Sequence, residues 1–249
     1  MKVFHAQSQL KQHLQAFLQA KQTIGFVPTM GAIHKGHLSL LQQAMNENDV
    51  VVLSIFVNPT QFNNAEDLEK YPRTLEKDLE LIQALSNKII VYAPTVDDIY
   101  EGKTVAENFD YDGLDNEMEG ANRPGHFNGV GTIVKKLFEI TQPTKAYFGE
   151  KDFQQLQIIR KMVAKNNMNI AIVGCPIFRE ANGLAMSSRN ERLSEVAKDK
   201  AAVIYKTLQS AKDLFIEKDV KDAEVFVKTA FANNADFTLE YFIIADEAS

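Results

Sequence analysis

Apolar residues recur along this chain in two rhythms. Residues 7–20 place Leu10, Leu14, Phe17 and Leu18 at helical spacing. Ile24 to Val27 is a short apolar run that predicts a strand, and Leu38 to Asn46 predicts the helix after it. VVVLSIFV (50–57) is a continuous, largely β-branched run, as expected of a parallel strand buried on both faces. Thr74 to Ser86 carries Leu75, Leu79 and Ile82 on one helical face, and KIIVYAP (88–94) reads as a third strand closed by proline. Residues 95–125 are acidic and glycine-bearing, and predict irregular chain. Beyond them the pattern predicts a helix over 127–140, a strand over 145–149, a helix over 152–166 and a strand over 169–178. Two amphipathic helices near 194–217 and 220–233 follow, and TLEYFIIAD (238–246) predicts a closing strand.

Strands alternating with helices predict an α/β fold, a Rossmann-like parallel sheet with helices on both faces and right-handed crossovers. A small C-terminal α+β domain is expected after it. The expected boundary lies near residue 180, giving domains 1–180 and 181–249. No internal repeat or low-complexity segment is visible.

Composition narrows the class. With 249 residues, 45% hydrophobic and 24% charged, the chain has the make-up of an ordinary globular protein. A net charge of −6 gives no general electrostatic reason to expect nucleic acid. The single cysteine, Cys175, excludes an internal disulfide and suits a reducing compartment. The N-terminal residues lack a signal-peptide core, and the apolar run 50–57 is too short to span a bilayer. A cytoplasmic location and no membrane partner are therefore expected.

The stretch FVPTMGAIHKGH (26–37) carries the first chemistry. A strand, a glycine-bearing turn and a helix start predict an anion site built from backbone N–H groups and the helix dipole. His34 and His37 add donors for phosphate oxygens. A surface turn is the plainer reading of two such histidines, and the strand–turn–helix placement lifts the phosphate reading above it. Gly31 and Gly36 have P-loop spacing, but His37 and Leu38 follow where Lys-Ser or Lys-Thr belongs, so that motif fails. FGEKDFQQLQ (148–157) puts Lys151 where a strand meets a helix, and ligands of open α/β sheets bind at such ends. In AMSSRN (185–190) two hydroxyls and a guanidinium suit phosphate, and an ordinary helix cap is an equally good reading. NPTQF (58–62) directs Gln61 toward the same crevice, although a plain turn suffices locally. The acidic pairs Asp97/Asp98 and Glu117/Glu119 read as mostly solvated, and no protein metal site is expected.

PTMGAIHKGH, SIFVNPTQF, YPRT (71–74), RPGHFNGV (123–130), YFGEKDFQQL (147–156) and REANGLAMSSRN (179–190) together, in this order and spacing, resemble the pantoate–β-alanine ligases. The resemblance covers roughly residues 20–195 and rests on six separate blocks. HKGH resembles the HIGH motif of the nucleotidyltransferase superfamily, and MSSR its KMSKS loop. The resemblance implies ATP-dependent ligation of pantoate and β-alanine through a pantoyl adenylate, with AMP and pyrophosphate released. It implies an ATP site at Met30, Gly31, Ala32, Ile33, His34, Lys35, Gly36 and His37, with His37 as proton donor. Gly149, Glu150, Lys151 and Asp152, the backbone of Phe178, and Met186, Ser187, Ser188 and Arg189 complete it. Of these, His34, His37, Lys151, Ser187, Ser188 and Arg189 would act on the reacting phosphates. Gln61 and Gln155 would hold pantoate, and Gln61 would also serve β-alanine. Mg²⁺ bound through the ATP phosphates, a homodimer, and a C-terminal lid that is short or incomplete here are implied as well. Two competing readings remain: a nucleotidyltransferase that keeps the nucleotidyl group in its product, and a nucleotide-binding protein without activity. The glutamines of NPTQF and EKDFQQL weigh against the first. The intact His34, His37, Lys151 and Arg189 weigh against the second.

Overall fold

In the computed structural model, which describes residues 1–246, alternate side chains of each strand enter opposite cores. Strand β2 (Ile24–Thr29) sends Ile24 and Phe26 to one face of the sheet and Val27 to the other. Strand β3 (Val50–Ile55) sends Val50 and Val52 one way, Val51 and Leu53 the other. β4 (Ile90–Tyr92) and β5 (Lys145–Gly149) divide in the same manner. A strand covered on both sides has no polar face, which is why the run 50–57 reads as unbroken apolar sequence.

The first core receives α1 (Gln7–Gln19), α7 (His126–Thr141) and α8 (Phe153–Lys165). The second receives α2 (Lys35–Glu47) and α4 (Leu75–Leu85). Six strands, all parallel, stand in the order β1-β4-β3-β2-β5-β6, with β1 being Lys2–Phe4 and β6 Ala171–Cys175. From β2 the chain builds outward through β3 to β4, then returns to the other side of β2 for β5 and β6. The reversal between β2 and β5 leaves a crevice at their carboxyl ends. The α/β expectation and its parallel sheet hold.

Three expectations are corrected. A short helix, α3 (Ala65–Glu69), precedes α4, and the stretch 95–125, predicted irregular, contains two more, α5 (Val96–Tyr100) and α6 (Met118–Asn122). Asp98 on α5 is not merely solvated. Its carboxylate accepts from the Gln7 main-chain amide at 2.9 Å and from the Tyr92 hydroxyl at 2.6 Å, joining α5 to the start of α1 and to β4. Strand β1 was not foreseen, because three residues are too few to show a period. Finally, residues 238–246 form no strand: among the described residues nothing lies alongside to complete a ladder.

The chain divides into two compact units, Met1–Ile177 and Phe178–Ser249. The second holds α9 (Glu195–Glu217) and α10 (Val220–Ala232), capped by Ser194 and Asp219. Ala211, Val227 and Phe231 form its small core, against which Phe237, Leu239 and Phe242 pack. The apolar positions of 238–246 thus serve helix packing rather than a sheet, and the described residues of this unit form helices where α+β was expected.

Candidate active site

The turn after β2 is backbone-strained and held from outside. Gly31 and Ala32 both take positive φ, +87° and +48°. That conformation disfavours any side chain, so Ala32 needs fixing by its surroundings. The fixing group is Asp78 on α4. Its buried carboxylate accepts from the amides of Ala32 at 3.0 Å and Ile33 at 2.8 Å, and from the Thr74 hydroxyl at 3.1 Å. The Gly31 amide bonds Thr29 Oγ1 at 3.3 Å, and Thr29 in turn donates to the carbonyl of Ser54 on β3 at 2.7 Å.

His34 caps α2, its Nδ1 accepting from the Gly36 amide at 3.1 Å. With Nδ1 an acceptor, the proton of the neutral ring sits on Nε2. His37, one turn on, stacks on His34 with ring centroids 4.0 Å apart and 20° between planes. Its Nδ1 is buried and has no hydrogen-bond partner among the described residues. Burial above all, then the charges of His34 and Lys151, hold the His37 imidazole down at about 3. It is therefore neutral at physiological pH.

This arrangement narrows one expectation. The amides of Gly31, Ala32, Ile33 and Gly36 all have partners within the protein, so main-chain donors for an anion are left to other amides in the first turn of α2.

Gln61 ends a short 3₁₀ turn, Pro59–Gln61, beyond β3. Its Nε2 lies 3.1 Å from the sulfur of Met30, and its Oε1 accepts from Asn58 Nδ2 at 3.1 Å. Asn58 is buried and also bonds the Gly129 carbonyl and the Tyr100 hydroxyl. The Gln61 amide is thus oriented, with its N–H₂ toward the turn that follows β2. Asn58 was not singled out from sequence, where it reads as a strand stop.

Lys151 lies in a 3₁₀ turn, Glu150–Asp152, directly after β5, and pairs with Asp152 at 2.8 Å. It follows the carboxyl end of β5, the neighbour of β2, and so stands at the same end of the sheet as the His34/His37 turn, and its charge is one of the causes that lower His37. Gln155 is half-buried on α8. Its neighbour Gln154 turns away and is structural, donating to the carbonyls of Leu114 and Glu117 at 2.7 Å each. YPRT is structural as well: Arg73 donates to carbonyls at the end of α3, and Thr74 supports Asp78. Burial pushes the Cys175 thiol up to about 11, which makes it a poor nucleophile.

In the second unit, Ser187 caps a 3₁₀ turn, Ser188–Arg192, accepting from the Arg189 amide at 3.3 Å. Ser188 is buried. The Phe178 carbonyl accepts from the Met186 amide at 3.0 Å, and the Arg179 guanidinium lies over the Tyr205 ring at 3.9 Å, so the loop between them is braced. The cap reading of this segment is correct for Ser187, and a capping hydroxyl still has its own proton to donate.

A family model described as pantoate-beta-alanine ligase matches residues 2–249. Pantothenate synthetase of Flavobacterium psychrophilum is 63% identical over 247 residues, which is 99% of this chain and 88% of that protein. The Thermotoga petrophila enzyme of the same name is 42% identical, with 99% and 88% covered. Among solved structures, pantothenate synthetase from Thermus thermophilus superposes with a TM-score of 0.89 at 40% identity, covering 97% of this chain and 86% of the other. Pantoate-beta-alanine ligase from Francisella tularensis, solved with beta-gamma ATP and beta-alanine, gives a TM-score of 0.81 at 37% identity, with 93% and 86% covered.

Proposed function

Since the chain belongs to the pantoate–β-alanine ligase family, we infer that it joins pantoate to β-alanine in an ATP-dependent reaction. What supports the reading is that the His34/His37 turn, the oriented amide of Gln61 and Lys151 follow the carboxyl ends of the neighbouring strands β2, β3 and β5.

The chemistry follows in two steps. A pantoate carboxylate oxygen attacks the α-phosphorus of ATP, the bond to the bridging oxygen breaks, and pyrophosphate leaves. The β-alanine amine then attacks the acyl carbon, the bond to the phosphate oxygen breaks, AMP leaves, and the amine loses a proton to solvent. Neither step needs an enzyme nucleophile. Both need charge stabilisation and a fixed in-line approach.

His34 Nε2 and His37 donate to phosphate oxygens, and Lys151 supplies the fixed positive charge. The neutral His37 ring of the free protein has only a hydrogen bond to offer; bound triphosphate favours its imidazolium, which can pass a proton to a leaving phosphate. The rest of Met30 to His37 and Gly149 to Asp152 line ATP. Gln61 and Gln155 hold pantoate, and Gln61 also meets β-alanine. Phe178 and Met186 to Arg189 are assigned to ATP on the family pattern, with the second unit as lid. The groups of the first unit assigned to phosphate are nitrogen donors, neutral or cationic. They suit phosphate oxygens rather than a divalent cation, so Mg²⁺ enters on the phosphates. A homodimer in the cytoplasm is the expected state. Among the described residues no helix is long and apolar enough to cross a membrane.

Pyrophosphate release with MgATP tests the reading. Pantoate alone should give at most one turnover, and added β-alanine should give steady AMP formation. Steady turnover with other hydroxy acids and none with pantoate would remove the substrate assignment. Sedimentation velocity tests the dimer.

A further inference from the structure

The block RPGHFNGV (123–130) does its work at Gln61. His126 opens α7 and is 5% exposed. Its Nδ1 lies 2.7 Å from the main-chain carbonyl oxygen of Gln61. A carbonyl cannot donate, so Nδ1 carries the proton. Nε2 lies 3.3 Å from Nη1 of Arg123 and 3.8 Å from Oε1 of Glu119, so the far edge of the ring is held by the same ion pair. Arg123 is held in turn by Glu119 at 2.6 Å, and its Nη2 also lies 3.5 Å from the Gln61 carbonyl. One relay therefore runs from Glu119 through Arg123 and His126 to the backbone of Gln61.

The same turn is pressed by α7. A Cβ at Gly129 would stand 2.3 Å from the Thr60 carbonyl oxygen and 2.7 Å from Gln61 Cα. The glycine lets helix and turn touch, and Asn58 fixes the Gln61 side chain from its other end.

We propose that His126, braced by Arg123 and Glu119, is a positioning residue that sets the Gln61 amide for pantoate by holding the Gln61 main-chain carbonyl. The inference rests on the reading of Gln61 as a pantoate contact. It assigns His126 no contact with substrate. Its effect falls on the acid substrate and spares ATP, whose assigned groups lie on other turns.

The test compares His126→Leu, His126→Asn, Arg123→Met and Gln61→Ala by steady-state kinetics. His126→Leu should raise the KM for pantoate roughly tenfold, because the part-buried Gln61 carbonyl loses its closer donor, while the KM for ATP stays within about twofold. In His126→Asn the side-chain amide N–H stands near the lost Nδ1–H, so it should recover most of that loss. Arg123→Met, which leaves the ring in place, should raise the pantoate KM by less, again with the KM for ATP within about twofold. His126→Leu added to Gln61→Ala should raise the pantoate KM no further than Gln61→Ala by itself. If His126→Leu and Arg123→Met leave the pantoate KM unchanged while Gln61→Ala raises it, the positioning role is wrong. Equal rises for both substrates without rescue by asparagine would also overturn it and show a purely structural histidine. Gln61→Ala without effect on pantoate would instead remove the reading on which the inference stands.

Discussion

His34 and His37 stack face to face at 4.0 Å in the turn after β2, and only His34 has its Nδ1 bonded within that turn. Burial, then His34 and Lys151, keep His37 at about 3, against 6.5 for a free imidazole. As pH falls below 6.5, the unfolded chain takes up a proton at this position that the native protein does not. Stability therefore falls over the interval from 6.5 toward 3, by at most about 1.4 kcal/mol per pH unit from this group. Urea unfolding at about pH 7 and about pH 5 should show a smaller loss in His37→Gln than in the native protein. An equal loss would mean that another group governs the interval.

Binding a triphosphate reverses that balance, because a polyanion stabilises the imidazolium. MgATP binding at about pH 5.5 should take up protons, and calorimetry in two buffers of different ionisation enthalpy should reveal it. His37→Gln should abolish most of the uptake. Binding without uptake in the native protein would place the phosphates away from His37.

Lys151→Ala should slow single-turnover pyrophosphate release by roughly 2.7–4 kcal/mol, the range seen for loss of one transition-state donor. It should also raise the His37 pKa, since the lysine charge is one of the causes that lower it. Imidazole titration by NMR checks the second effect independently of turnover. A wild-type burst in this variant would exclude Lys151 from the chemistry.

Asp78→Ala should leave the buried amides of Ala32 and Ile33 without their acceptor. Each unmatched buried group costs about 1–3 kcal/mol, so the urea midpoint should fall markedly. Asp78→Asn, which keeps one acceptor oxygen, should fall less. Pyrophosphate release should drop in both, because the left-handed pair Gly31–Ala32 loses its support. A midpoint unchanged in Asp78→Ala would show that the turn holds its own shape.

How far the sequence could be read depends on the distance over which a residue acts. The strands β2 and β3 and the helices α1, α4, α7 and α8 show their own periodicity, and their placement was legible. So were His34 and His37, because strand, turn and helix are adjacent in the chain. Asp78 was not, since its partners Ala32 and Ile33 lie far from it in sequence. One signal was present: Asp78 falls among Leu75, Leu79 and Ile82, a charge on an apolar helical face, where an unpaired carboxylate is not tolerated. Asn58 and His126 gave no such sign, because turn and helix-start residues are polar by default. The stretch 238–246 misled for the opposite reason. Its alternation is real, but a ladder also requires a neighbour, and pattern alone does not supply one.

The turn amides already taken by Asp78 and His34 have a consequence for how strongly the medium governs this enzyme. A main-chain amide keeps its proton across the ordinary pH range, whereas an imidazole can gain one. On the proposed reading part of the phosphate grip falls to two imidazoles and a half-exposed lysine, whose fields are screened by ions over about 8–10 Å. Nucleotide affinity on that reading is an adjustable quantity, steepening in dilute, mildly acidic solution and relaxing as ionic strength rises.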